Sequence, residues 1–189
     1  MLVLIGKANS GKTTVCQELE KRGFEWIRTY TDRPKRDGES DDTYNFVSDA
    51  VFSDMESHGE FMESSEFETV NGPQRYGVAW PTKGHDGNKS IVILSPVGLK
   101  KCRENLPPGS VVIYLYSNNS TLLKRMKKRK DDAESQRRYE ADKRDFKDMY
   151  NECDRIVYNN EGTDISEVCD KIEDFVKTGR KQIRGLYLD

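Results

Sequence analysis

Residues 2–13 decide the fold, and they read Leu2-Val3-Leu4-Ile5-Gly6-Lys7-Ala8-Asn9-Ser10-Gly11-Lys12-Thr13. The apolar run at the start is short, continuous and ended by a glycine, which is typical of a buried parallel strand. After the loop, Val15 and Leu19 recur at helical spacing until Gly23 stops the helix. A strand, a glycine-containing loop and a helix in this order predict the opening of a βα unit.

The loop at residues 6–13 fits the pattern G-x-x-x-x-G-K-[ST]. Its glycines let the backbone curl so that N–H groups point at phosphate oxygens, and the following helix adds the partial positive charge of its N-terminus. Lys12 would reach the β- and γ-phosphates of a nucleoside triphosphate, and the Thr13 hydroxyl would ligate Mg²⁺. The predicted ATP-binding residues of this segment are Gly6, Lys7, Ala8, Asn9, Ser10, Gly11, Lys12, Thr13 and Thr14. The motif alone does not distinguish switch GTPases, motors and small-molecule kinases.

The composition excludes several classes of protein. The 31 basic and 33 acidic residues give a net charge of −2, which argues against a partner that is a nucleic acid or an anionic membrane. The four cysteines form no C-x-x-C pair and only two histidines are present, so a zinc site is not expected. We expect free thiols and a cytoplasmic location. The run Leu2–Ile5 is too short for a signal peptide or a membrane span.

Strand and helix patterns alternate through the rest of the chain, which predicts an α/β fold with a parallel sheet. The predicted strands are residues 90–94, 111–115 and 155–158, and the predicted helices are residues 97–102, 122–130, 136–150 and 165–176. Residues from about 29 to 80 lack this alternation and are predicted to form a small inserted lobe. Within it, Ser48 is positioned to cap a short helix.

A polar segment near the start of this lobe contains Arg33, Arg36, Glu39 and Tyr44. Two arginines three residues apart can hold one phosphate from two sides, because the planar guanidinium suits phosphate oxygens. A tyrosine hydroxyl nearby adds a third donor. The segment therefore predicts a docking site for a second, phosphorylated substrate, with a solvated loop as the alternative.

The same segment resembles the signature of the guanylate kinase family, T-x-R-x-x-R-x-G-E followed by D-Y-x-F-V-S. The matching residues are Thr31-Asp32-Arg33-Pro34-Lys35-Arg36-Asp37-Gly38-Glu39 and Tyr44-Asn45-Phe46-Val47-Ser48. With the phosphate loop and the later segments in the family's order, the resemblance runs from Leu2 to about Val176. It implies a P-loop NTPase fold with a three-layer parallel sheet, an inserted acceptor-binding lobe and a helical lid. The implied single domain, residues 1–189, has a core of residues 1–28, 90–118 and 153–178, a lobe at about 29–80 and a lid at about 119–150.

The resemblance also implies an activity, namely transfer of a phosphoryl group from ATP, with Mg²⁺, to GMP or dGMP. The acceptor-binding residues that it implies are Thr29, Arg33, Arg36, Tyr44, Glu63 and Tyr76. Glu63 would accept hydrogen bonds from guanine N1 and N2, and Glu66 is the alternative for this role. The implied catalytic residues are Lys12, Arg33, Arg125, Arg129 and Arg138, of which the last three would close over the triphosphate. Asn159 matches a position near the adenine.

Three departures from the family pattern leave the acceptor open. Val78 follows Tyr76-Gly77 where the family has Thr or Ser, and Ile93 and Ser95 stand where it has two carboxylates. Pro81, Gly84 and Gly87 interrupt a helix expected within residues 79–89. The alternatives are a ribose 1,5-bisphosphate phosphokinase, a kinase for another nucleotide, or a non-catalytic binding module of the same fold.

Overall fold

Helices and strands alternate through the computed structural model, which describes residues 1–36, 39–81, 89–128 and 133–178. Its elements in chain order are β1 (Leu2–Ile5), α1 (Lys12–Lys21), β2 (Glu25–Ile27), β3 (Tyr30–Thr31), β4 (Asn45–Phe46), α2 (Asp49–Ser57), β5 (Phe61–Thr69), β6 (Gly72–Ala79), β7 (Ser90–Ile93), α3 (Pro96–Cys102), a 3₁₀ turn (Arg103–Asn105), β8 (Val111–Tyr116), α4 (Asn119–Lys128), α5 (Ala133–Asp145), α6 (Met149–Glu152), β9 (Arg155–Tyr158) and α7 (Ile165–Thr178).

A five-stranded parallel sheet in the order β2-β7-β1-β8-β9 forms the centre of the molecule. All four residues of β1 are buried, because helices cover both faces of the sheet. Leu2 and Leu4 pack in the layer shared with α1 and α7, whereas Val3 and Ile5 pack in the opposite layer with Leu99 of α3. The prediction of a three-layer α/β fold with a parallel sheet is confirmed.

A second sheet, in the order β4-β3-β6-β5, contains strands from residues 30 to 79. The long hairpin of β5 and β6 dominates it and turns between Thr69 and Gly72, with a bulge between Phe61 and Glu63. Phe52 of α2 is fully buried against Phe61, with ring centroids 4.8 Å apart. The predicted cap of α2 is present, since the Ser48 side chain accepts a hydrogen bond from the backbone N–H of Val51.

The predicted helix over residues 136–150 is wrong in its extent. Two helices occupy this part of the chain, α5 ending at Asp145 and α6 starting at Met149. Phe146 lies in the turn between them and stacks on Tyr114 at 5.7 Å, and Met149 is also buried in that layer. The chain turns here because both apolar side chains enter the core. The predicted interruption over residues 79–89 falls largely outside the described residues, as does the end of the predicted helix 122–130. No helix in the described part of the chain is long and apolar enough to cross a membrane.

Candidate active site

The phosphate loop joins β1 to α1 with two residues in the left-handed conformation, Asn9 at φ 63° and Gly11 at φ 96°. Glycine is required at both ends of the loop. A Cβ on Gly6 would lie 2.6 Å from Ser10 Oγ and 2.7 Å from the Leu115 carbonyl oxygen, and one on Gly11 would lie 2.5 Å from Asn159 Nδ2. The loop is therefore held close to β8 and to the residue that follows β9.

Cationic and amide groups hold the carbonyl groups of this loop. Lys12 Nζ donates to Gly6 O at 2.6 Å and to Lys7 O at 3.0 Å. Arg125 Nη1, from α4, donates to Asn9 O at 3.2 Å and to Ser10 O at 3.0 Å. The buried Asn159 donates from Nδ2 to Ser10 O at 2.8 Å. Arg125 and Asn159 are thus both brought to the phosphate loop, where they fix its backbone.

A cavity of about 260 Å³ extends from the phosphate loop to the second sheet. Its wall includes Gly6, Ala8 and Lys12 from the loop, Thr29, Tyr44, Glu63, Tyr76 and Val78 from the lobe, Ile93 at the end of β7 and Ser95 beyond it. Helix α5 completes the wall with Arg137, Arg138 and Asp142. Some residues predicted for the donor and some predicted for the acceptor therefore face one shared space, whereas Arg33 and Arg36 are not part of its wall.

Arg33 lies behind the tyrosines of this wall and is buried. Its Nη1 and Nη2 donate to the Glu39 carboxylate at 2.8 and 2.5 Å, and its guanidinium carbon lies 4.9 Å from the centre of the Tyr44 ring. The ion pair with Arg33 contributes to holding the pKa of Glu39 below its ordinary value, against the effect of its burial. Arg33 Nε has no acceptor among the described residues. The second arginine of the signature, Arg36, is exposed and donates its backbone N–H to Glu39 at 3.2 Å.

Arg138 crosses the cavity from α5 to the lobe. Its Nη2 lies 3.3 Å from the Tyr76 hydroxyl, and its Nε donates to Glu134 Oε1 at 2.8 Å. The same carboxylate accepts hydrogen bonds from Arg137 Nε at 2.9 Å and from the backbone N–H of Val70 at 3.2 Å. Glu134 thus positions two arginines and ties α5 to the hairpin of β5 and β6.

Glu63 closes the far end of the cavity and is buried. Its carboxylate accepts a hydrogen bond from Ser65 Oγ and packs against Gly98 of α3, where an added Cβ would lie 2.8 Å from its carboxyl carbon. Burial raises the pKa of this carboxyl above its ordinary value. Val78, only 2% exposed, lies in the same wall. Of the two glutamates considered for base recognition, Glu63 faces the cavity and Glu66 is exposed.

Other predicted residues lie outside the cavity wall or outside the described residues. Thr13 is half-buried at the start of α1, and Thr14 beside it is exposed. Arg129 lies outside the described part of the chain, so its position is not assigned. The cavity thus brings together the main predicted residues of the loop, the lobe and α5.

Asp142 in the last turn of α5 belongs to none of the sequence motifs. Its Oδ2 accepts a hydrogen bond from the backbone N–H of Ala8, in the phosphate loop, at 2.5 Å. Glu134, Arg138 and Asp142 follow one another at intervals of four residues, so they share one face of the helix. This face, which we call the α5 stripe, contacts the hairpin, Tyr76 in the cavity wall and the phosphate loop in turn. The four-residue spacing of Glu134, Arg138 and Asp142 was visible in the sequence, but the residues that these side chains contact were not.

Comparisons with known proteins agree with this geometry. Residues 2–148 match a family model described as an AAA domain. A guanylate kinase of Thermobifida fusca is 30% identical and covers 91% of this chain, which in turn covers 88% of that protein. A guanylate kinase of Clostridioides difficile is 27% identical, with 98% and 85% of the two chains covered. The crystal structure of a guanylate kinase from Anaplasma phagocytophilum has the same fold, with a TM-score of 0.68 at 23% identity over 96% of this chain and 86% of that one.

Proposed function

Because the chain carries an AAA domain and belongs to the guanylate kinase family, we propose that it transfers a phosphoryl group from ATP to GMP or dGMP. The observation that carries the proposal is the shared cavity. Lys12 and Ala8 of the phosphate loop line one end, and Glu63 of the lobe lines the other, with Arg138 on the wall between them. Two nucleotides bound at these ends would place their phosphates towards each other.

The donor half of the proposal concerns ATP on residues 6–14. In this proposal Lys12 leaves the carbonyls of Gly6 and Lys7 and turns to the β- and γ-phosphates, while the loop N–H groups donate hydrogen bonds to the phosphate oxygens. Asn159 and Arg125 keep the backbone of Ser10 in place, and we propose that Asn159 lies near the adenine of ATP.

Mg²⁺ fits this site as an ion held chiefly by the nucleotide. Within the described ranges, no three His, Cys, Asp or Glu side chains gather in a group that could hold a metal ion. The half-buried Thr13 hydroxyl at the start of α1 is the protein ligand that we propose, with triphosphate oxygens and water as the others. When bound there, the ion offsets part of the charge of the triphosphate.

The acceptor half places the phosphate of GMP near Tyr44, Tyr76 and Arg138. An oxygen of this phosphate forms a new bond to the γ-phosphorus, while the bond from that phosphorus to the β–γ bridging oxygen breaks and ADP leaves with the electron pair. A phosphate anion is already a nucleophile, so no general base is needed. Arg138 and Lys12 supply positive charge to the group in transit, and Arg33 supports the Tyr44 side of the site.

Recognition of guanine rests on Glu63 in this proposal. The guanine N1–H and N2–H₂ donors match the two oxygens of a carboxylate, and the buried position of Glu63 strengthens such a contact. The hydroxyl of Thr29 lines the same cavity. Val78 offers no hydroxyl, so the discrimination of guanine from other bases depends more heavily on Glu63 here. A cytoplasmic location is part of the proposal and suits the four free thiols.

The deciding experiment is a steady-state assay with ATP, Mg²⁺ and a panel of acceptors. The panel contains each nucleoside monophosphate, its deoxy form and ribose 1,5-bisphosphate. We expect GMP and dGMP to give the highest kcat/KM and Lys12→Ala to lower kcat by about 100-fold or more. Equal rates with all nucleotides would refute the guanine assignment, and preference for ribose 1,5-bisphosphate would favour that kinase. ATP binding without transfer to any acceptor would favour a non-catalytic module.

A further inference from the structure

The carboxylate of Asp142 occupies part of the phosphate loop. It reaches the Ala8 N–H across 134 positions of sequence with a hydrogen bond of 2.5 Å. A carboxylate is unfavourable in the last turn of a helix, because the negative end of the helix dipole lies there. The hydrogen bond to the Ala8 N–H offsets this cost.

The loop is built to surround an anion. In loops of this pattern the backbone N–H groups point at phosphate oxygens, and the partly buried N–H of Ala8 needs an acceptor. Asp142 provides one. Burial raises the pKa of its carboxyl above the ordinary value and the nearby Asp145 adds to the rise, while the hydrogen bond from Ala8 and the charges of Lys12 and Lys7 oppose it. The carboxylate thus lies beside two lysines of the loop, where a phosphate would otherwise lie.

We propose that Asp142 is a resident anion of the phosphate loop, which occupies the Ala8 N–H when no nucleotide is bound and is displaced by a triphosphate. The inference rests on the proposed function for the triphosphate site. A triphosphate must displace or approach a like charge, so Asp142 lowers the affinity for ATP and prevents the empty loop from holding other anions tightly. Asp142 is a residue that sets donor affinity and is not required for transfer.

The test is calorimetric titration of a non-hydrolysable ATP analogue into the wild type and Asp142→Asn. The amide oxygen still accepts from Ala8, but the negative charge is gone. We expect roughly tenfold tighter binding in the variant without Mg²⁺ at low ionic strength, since like charges a few ångströms apart repel strongly in a partly buried site. The difference should shrink in 0.5 M salt and when Mg²⁺ accompanies the analogue.

Asp145→Asn is the matched control. Asp145 lies three residues further along α5, lines the same cavity and is exposed, so its charge is screened by solvent. We expect its effect on affinity to stay within about twofold. Asp142→Ala gives a second variant, and thermal unfolding followed by circular dichroism verifies that each variant is folded.

The outcomes separate this inference from the proposed function. Unchanged or weaker binding by both folded Asp142 variants would overturn the resident-anion role. Weaker binding only in the presence of Mg²⁺ would also overturn it, and would instead make Asp142 a group that supports the metal. If the wild type and Lys12→Ala fail to bind the analogue at all, the proposed triphosphate site itself is wrong.

Discussion

Replacing Glu134 with glutamine removes the charge that holds Arg137 and Arg138. Its side chain is 6% exposed and accepts hydrogen bonds from Arg137, Arg138 and the backbone N–H of Val70. Although burial alone would raise the pKa of Glu134, these three bonds lower it from 4.5 to about 2. The ionised form is therefore favoured by the folded state.

The magnitude follows from this shift. A pKa lowered from 4.5 to about 2 corresponds to about 3 kcal/mol of stability at neutral pH. The partner arginines are 33% and 36% exposed, so solvent screens part of the interaction. We therefore expect Glu134→Gln to lower the free energy of unfolding by about 2 kcal/mol at pH 7.

The pH dependence gives the prediction a second part. Because the folded-state pKa is lowered, the contribution of Glu134 is complete above pH 4.5 and is lost as the pH falls towards 2. Urea unfolding followed by circular dichroism at pH 7, 5.5, 4 and 3 measures the free energy of unfolding of the wild type and of Glu134→Gln. The difference in free energy of unfolding between wild type and variant should be the same at pH 7 and pH 5.5 and should become smaller at pH 4 and pH 3.

Glu140→Gln is the control on the same helix. Its carboxylate is 54% exposed and pairs with Lys143, so we expect a loss below about 0.5 kcal/mol. A Glu134→Gln variant no less stable than this control at pH 7 would refute the reasoning. A gap that stays constant from pH 7 to pH 3 would show that the loss comes from packing and not from charge.

Two further substitutions test the loop and the acceptor side. Gly11→Ala places a Cβ on a residue with φ 96°, at 2.5 Å from Asn159 Nδ2. We therefore expect the free energy of unfolding to fall by about 2 kcal/mol and the ATP analogue to bind more weakly. An unchanged Tm and an unchanged affinity would contradict this expectation. Arg33→Lys loses the two parallel hydrogen bonds to Glu39. We expect the KM for the acceptor to rise about tenfold while the KM for ATP stays constant. Equal increases in both KM values would indicate a general loss of folded protein instead.

Most of the fold could be predicted from patterns among residues that are close in sequence. The four-residue strand β1, the glycines of the loop and the cap at Ser48 depend on neighbours within a few positions, and all three were readable from the sequence. The turn between α5 and α6 was not, because Phe146 leaves the helix to stack on Tyr114, which belongs to a distant strand. Periodicity alone could not show which core the side chain enters.

The site was predictable only where a motif specifies it. The phosphate loop contains its own donors, so its chemistry could be inferred from eight consecutive residues. The positions of Glu63 and Glu66 depend on the bulge between Phe61 and Glu63, which buries both Met62 and Glu63 and breaks strict alternation. The contacts of Glu134 and Asp142 lie 64 and 134 positions away in sequence, and only the tertiary fold brings them together.

The α5 stripe has a consequence for how the two nucleotides affect each other. Glu134, Arg138 and Asp142 span about 12 Å along one rigid helix. If the proposed triphosphate site is correct, a movement of α5 that accommodates a triphosphate at Asp142 would also shift Arg138 relative to Tyr76. Such a helix would link the two binding equilibria reciprocally: whatever factor ATP imposed on the affinity for the acceptor, the acceptor would impose on the affinity for ATP.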